Sequence, residues 1–140
     1  MAGDNKLQLK VGNATEKFIA KTLKGYGYWV YNMPVKTSGQ PCDLVAVKGE
    51  GNGYYKAWLI DAKHVRENEV SFPFSRIEPN QFASMNYALN FAKINNVGFA
   101  IFFERDKHLY WLSYELVKQL QGEGAKSVNM AKLETLEEVL

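Results

Sequence analysis

The apolar and polar positions along the chain switch between helical and strand periods. Residues 13–24, "NATEKFIAKTLK", place Ala14, Phe18 and Leu23 near one helix face, with Asn13 as N-cap and Gly25 and Gly27 as the stop. "YWVYNM" is aromatic and β-branched and predicts a strand. After the turn-rich "KTSGQP", the run "CDLVAVK" predicts a second strand. "GEGNG", with three glycines in five residues, predicts a turn, and "YYKAWLIDAK" predicts a strand returning alongside the second. Residues 64–79 contain Pro73 and Pro79, show no period, and are expected as a loop. From Asn80 to Ile94, Phe82, Met85, Leu89 and Ala92 recur at helical spacing behind Pro79. "VGFAIFF" reads as a fully apolar strand, "ERDK" as a turn, "HLYWLS" as another strand and "YELVKQL" as a short helix. "QGEGAKS" is expected to be flexible, and the acidic end to be a helix or a frayed tail.

This order is helix, three strands, helix, two strands, helix. It predicts an α/β fold with a mixed central β-sheet flanked by helices, because the apolar strands near residue 100 need cover on both faces. The expected organisation is a single domain over residues 1–120, followed by an acidic C-terminal tail or short helix over 121–140.

Composition narrows the function classes. At 140 residues, 46% hydrophobic and 23% charged, the chain suits one globular domain. The formal net charge is +2, but the last ten residues carry −2 and the remainder +4, which permits a nucleic-acid partner without requiring one. A lone Cys42 excludes an intrachain disulfide and fits a reducing, cytoplasmic setting. The N-terminus lacks the apolar core of a signal peptide, and no run reaches the about 18 apolar residues of a membrane span, so no membrane association is expected.

The candidate chemistry lies on the hairpin. Asp43 and Asp61 stand nine residues either side of Asn52, so an antiparallel pairing about that turn opposes them. Opposed residues share a face with Cβ atoms about 5 Å apart, and Lys63, two residues on, shares it too. Asp61 and Lys63 alone could be a surface ion pair of little worth. Two carboxylates facing each other repel, however, and that placement makes sense with a hard divalent cation between them. Mg²⁺ takes one or two carboxylates plus waters and phosphate oxygens, and a lysine beside it can hold a water or a phosphate. This is a constellation for phosphodiester hydrolysis. His64 and His108 have no partners at metal spacing. His64 is expected to face away from Lys63, and Cys42 to point away from Asp43, into the core.

"PCDLVAVKGEGNGYYKAWLIDAK" resembles the core of the PD-(D/E)xK nuclease superfamily, with Pro41 and Asp43 matching its first half and Asp61, Ala62 and Lys63 its second. "DAKHVRENEVSFPFSRIEPNQFASM" is similar to the RecU-type Holliday-junction resolvases and their phage relatives, through the "FP" of Phe72 and Pro73 and the Gln81 that opens the next helix. The likeness runs from about residue 11 to 120. It implies a restriction-endonuclease-like core and Mg²⁺-dependent hydrolysis of DNA, with Mn²⁺ as a substitute, by direct attack of water on phosphorus to leave a 5′-phosphate. It also implies a homodimer acting on branched DNA or a four-way junction. In it Asp43 and Asp61 bind metal, the Ala62 carbonyl joins them, and Lys63 assists the water. A glutamate on the first helix often reaches the site, which here is Glu16, and Gln81 supports it. Glu16 also stands three residues after Asn13, where a capping-box glutamate sits. Lys36, Arg66 and Arg76 flank the motif strands as candidate phosphate contacts, or as solvated loop charges.

The chain departs from the family in three ways. RecU-type enzymes insert a stalk before the first motif aspartate, whereas here Tyr28, opening the preceding strand, is only fifteen residues before Asp43. The basic N-terminal extension is reduced to Lys6 and Lys10. The Gln-x-x-x-Tyr motif of the RecB-like nucleases is not met, since Met85 takes the fifth position. Two alternatives therefore stay open: a nuclease of the same fold acting on linear or flap DNA, and a non-catalytic DNA-binding module.

Overall fold

The computed structural model of the chain describes residues 2–34 and 42–140, with side chains from residue 12 onward. Helix α1 (Ala2–Gly25) leads into β1 (Trp29–Asn32), then β2 (Leu44–Gly51) and β3 (Tyr54–Val65). A short strand β4 (Ser71–Pro73) and a 3₁₀ turn (Phe74–Arg76) precede α2 (Pro79–Asn90). Next come β5 (Asn96–Phe103), β6 (His108–Ser113) and α3 (Tyr114–Gly122). The chain closes with β7 (Ser127–Asn129), a second 3₁₀ turn (Met130–Lys132), β8 (Glu134–Thr135) and α4 (Leu136–Val139). Six strands form one mixed sheet in the order β1-β2-β3-β5-β6-β8, and β4 pairs with β7 in a second, two-stranded sheet. Within the large sheet β3 and β5 are parallel, joined by a crossover that carries α2, and the other pairs are antiparallel. No helix among the described residues is long and apolar enough to cross a membrane.

The sheet is covered on both faces, as its apolar strands require. One layer packs Leu59, Phe99, Ile101 and Leu112 against Met85 of α2 and Val117 of α3. The other packs Leu44, Trp58, Ile60 and Ala100 against Ile19 and Leu23 of α1. Successive residues of β3 therefore feed opposite layers, the period-2 rule of a strand buried on both sides.

Several sequence expectations shift. Helix α1 runs through Asn13, so this residue is mid-helix and not an N-cap. Its buried stripe is Thr15, Ile19 and Leu23, spaced by four, while Ala14 is exposed and Phe18 stacks edge-on against Phe102. Helix α2 ends at Asn90, and Ala92 is exposed beyond it. The segment expected as a loop over 64–79 is largely structured. β3 continues through His64 and Val65 by pairing with Phe102 and Phe103, and Phe72 pairs with Val128. That second partner lies 56 residues ahead, so no local turn signal advertised the strand. "QGEGAKS" in turn ends in β7, and the acidic terminus adds β8 to the sheet edge and buries Leu136.

Gly98, in the middle of β5, explains a tight crossing. A Cβ there would lie 2.3 Å from the Leu112 carbonyl oxygen and 2.9 Å from the Ser113 Cα, both backbone atoms of the neighbouring strand. Gly98→Ala is expected to lower unfolding free energy by about 3 kcal/mol, since rigid backbone cannot yield. Gly122→Ala, with open space around it at the end of α3, should stay within about 1 kcal/mol of wild type. Urea denaturation of the two variants checks this, and equal midpoints would contradict it.

Candidate active site

The site is built where the β2–β3 hairpin opens. Gly51, Asn52 and Gly53 all have φ between 56° and 78°, with Gly51 paired to Tyr54, so Asn52-Gly53 is a two-residue hairpin loop of the kind that glycine and asparagine allow. Just below it the register slips, from Gly51↔Tyr54 to Gly49↔Tyr55, which leaves Glu50 as an extra residue in β2. From there the ladder runs in step to Leu44↔Ile60. The next position puts Asp43 level with Asp61. Without the bulge Asp43 would face Ala62.

Asp43 sits in a bend just before β2. Its N–H donates to the Ile60 carbonyl at 3.0 Å, and its carboxylate Oδ2 accepts from the Ala62 N–H at 2.8 Å. A carboxylate thus takes the place of a ladder carbonyl, which fixes it beside Asp61. Cys42 is buried with Leu59 and Met85, in the layer beneath α2, and not opposite Asp43 as alternation predicts. It lies ahead of the strand, where the pleat has not yet begun. Burial, then the charges of Asp43 and Asp61, push its thiol up to about 12.

Asp61 is 3% exposed. Burial raises its pKa to about 7; the Lys63 ammonium pulls the other way, and the Asp43 carboxylate pushes it up further. Lys63 Nζ lies 3.0 Å from Asp61 Oδ2 as an ion pair, and this buried oxygen accepts no hydrogen bond. The same ammonium donates to the Arg76 carbonyl at 3.3 Å and to Gln81 Oε1 at 3.4 Å. Gln81 Oε1 also accepts the Glu78 N–H at 3.0 Å in a capping box that opens α2 behind Pro79.

An open cleft of about 1230 Å³ lies on the α1 side; Lys63 and Arg76 reach it, while Asp43, Asp61 and Gln81 are not among its walls. Glu16, Ala62, Lys63, Arg66 and Arg76 line it, together with His64 and Glu104. Of the residues singled out from sequence, Asp43, Asp61, Ala62, Lys63, Gln81 and Arg76 form one contact network, and Glu16 and Arg66 join it as cleft walls. Lys36 lies outside the described residues, as does Pro41. Since α1 passes through Asn13, the capping-box explanation of Glu16 falls away. His64 faces away from Lys63, as expected. Its ring stacks on Phe102, its Nε2 is 3.3 Å from Glu104 Oε2, and burial lowers its pKa. Glu104 escaped the sequence reading, although a carboxylate right after "VGFAIFF" marks the C-terminal end of a strand parallel to "IDAKHV".

The donor set fits a hard cation. Asp61 offers a buried oxygen without a hydrogen bond, and the facing Asp43 carboxylate makes the pair repulsive without a counter-charge. Among the described residues no third Asp, Glu, His or Cys groups with them as a metal cage.

The elevated pKa has a measurable sign. Asp61 titrates near 7 in the fold against 3.8 in a model environment, so the folded chain holds more protons across that window. Its contribution to stability is full below the lower value and falls as pH rises toward the upper one. With chelator present, the Tm of wild type is expected to drop relative to Asp61→Asn as pH is raised through this window. A difference that stays flat, or moves the other way, contradicts the burial argument.

No protein-family model matches the chain, and no curated protein matches its sequence. Solved structures do. Hjc of Archaeoglobus fulgidus, a Holliday junction resolvase from an archaeal hyperthermophile, superposes with a TM-score of 0.59 at 17% identity, over 91% of this chain and 93% of that one. A nuclease from a fusselovirus superposes with a TM-score of 0.50 at 14% identity, over 99% of this chain and 90% of its own. Likeness at this identity is likeness of fold: the chain has the restriction-endonuclease-like fold, a six-stranded mixed sheet flanked by helices.

Proposed function

We propose that the protein is a metal-dependent endodeoxyribonuclease that hydrolyses DNA phosphodiester bonds, with branched DNA as its substrate. The observation that carries this reading is the buried Asp61 carboxylate, level with Asp43, with an oxygen that accepts no hydrogen bond and pairs at 3.0 Å with the Lys63 ammonium. A purely structural role does not account for two facing carboxylates, one of them buried. The fold similarity to a Holliday junction resolvase and to a viral nuclease supports the reaction class.

In this reading Asp43 and Asp61 hold Mg²⁺, with Mn²⁺ as a substitute, and the Ala62 carbonyl and Glu16 complete the surroundings. Bound there, the cation supplies Lewis-acid polarisation of the scissile phosphate and offsets charge developing in the transition state. Lys63 keeps its ammonium directed at the attacking water through contacts that are already in place, which lowers the cost of ordering it. The Asp43 carboxylate is held by the Ala62 N–H and need not reorganise. Arg66, at the cleft wall, positions the DNA backbone without reading sequence. Symmetric cutting of two strands calls for a two-fold dimer. Exposed aromatics support that expectation: Trp29 and Tyr31 stack on edge strand β1, and Tyr87 stacks with Phe91 at the C-terminal end of α2.

A second reading has one specific observation behind it. No stalk-sized insertion precedes Asp43, so the same chemistry acting on linear or flap DNA competes with junction resolution.

Matched four-way junction, flap and linear duplex DNA, each incubated with Mg²⁺ and with chelator, separate these outcomes. Paired symmetric nicks on the junction are expected with Mg²⁺, and none with chelator. Asp43→Asn and Lys63→Ala are expected to lower the rate by about a hundredfold or more, the scale of losing one positioned charge in a transition state. Cutting of flap or linear DNA as fast as the junction selects the second reading. No cleavage of any substrate sinks the enzyme reading, and full activity in Asp43→Asn sinks the assignment of its catalytic residues.

A further inference from the structure

Lys63 does not hold its place unaided. Three polar groups surround its ammonium: Asp61 Oδ2 at 3.0 Å as a charge partner, and the Arg76 carbonyl at 3.3 Å and Gln81 Oε1 at 3.4 Å as hydrogen-bond acceptors. Two of these come from the turn and helix that follow β4, well away in sequence from β3. Something must fix that turn against the strand. Arg76 does so with its other end. Its guanidinium Nη1 donates to the His64 carbonyl at 2.5 Å, and its charge lies 5.4 Å from the centre of the buried Phe72 ring. One residue therefore grips β3 twice, by its carbonyl at the Lys63 side chain and by its side chain at the His64 backbone. The turn is anchored behind by the Phe74 N–H on the Lys126 carbonyl at 2.9 Å, and ahead by the Gln81 capping box.

We propose that Arg76 is a positioning residue for Lys63, and not the phosphate contact that its place beside the motif strand suggests. A lysine free to sample its rotamers loses side-chain entropy when it is ordered. The Arg76 clasp holds the acceptors where Lys63 must point before DNA arrives. The guanidinium is committed to a carbonyl and a ring face, so it adds little to backbone affinity. This inference rests on the hydrolase reading for its kinetic consequence, but the clasp is also a property of the DNA-free protein.

Two sets of measurements test it. In single-turnover cleavage with Mg²⁺, Arg76→Ala is expected to slow the step by about tenfold to a hundredfold, the scale of a misplaced catalytic group. DNA affinity should stay within about twofold, with the slope of log affinity against log salt unchanged, because no phosphate contact is lost. Arg76→Lys, which can still reach one carbonyl, should recover part of the rate. In the DNA-free, metal-free protein, the Lys63 ammonium and ε-methylene NMR signals should move to those of a mobile lysine in Arg76→Ala. Thermal melts report whether that variant folds, and Arg76→Gln replaces it if it does not. A salt slope reduced by about one with an unchanged cleavage step would make Arg76 a phosphate contact and overturn the proposal. Unchanged Lys63 signals would overturn it as well. Wild type that cuts no DNA would defeat the hydrolase reading alone, leaving the Lys63 signals to decide the clasp.

Discussion

The register of the β2–β3 hairpin is the constraint on which the rest depends. Side chains alternate faces along a strand, so a slip of one residue exchanges everything on one face for everything on the other. The extra residue at Glu50 sets the count, and the remaining pairs to Leu44↔Ile60 follow from it. Because of that count Asp43 meets Asp61, and Trp58 and Ile60 enter the α1 layer while Leu59 enters the α2 layer. The core and the site therefore require the same register. Burial of the large residues enforces a placement that the two carboxylates, left to repel, would oppose.

That enforcement has an electrostatic cost that remains visible in the folded chain. A buried carboxylate with an acidic neighbour is pushed toward neutrality, and its one nearby ammonium only partly offsets this. Proteins tolerate such strain where it does chemical work, and a perturbed acid beside a charged partner is a functional candidate on that ground. The surrounding backbone is arranged to hold the strained pair: the Ala62 N–H on Asp43, the capping box on Gln81, and the two-ended grip of Arg76. Each uses a group that strand, helix end or turn would otherwise leave unsatisfied.

Much of the sheet was legible because its signals are local. The Asn-Gly turn, the alternation through "YYKAWLIDAK" and the unbroken "VGFAIFF" each carry their own pattern. The pairing of Phe72 with Val128, and of Tyr110 with Thr135, is set by partners too distant for any short pattern to show. Asn13 looks like a cap, yet helix α1 begins at Ala2 and runs through it, so the cap signal at Asn13 does not mark the start. The acids and Lys63 could be placed on one face by counting from the turn. The clasp could not, because it depends on a backbone carbonyl in a 3₁₀ turn and sequence displays only side chains.

The central claim is that Asp43 and Asp61 together form a cation site. The most direct measurement is anomalous diffraction from crystals soaked in Mn²⁺, a stand-in for Mg²⁺ that can be located without ambiguity. An anomalous peak is expected between the two carboxylates, within about 2.0–2.3 Å of an oxygen of each, and is expected to be lost in crystals of Asp61→Asn. A peak elsewhere, or none at this position with manganese bound at other sites, would contradict that claim.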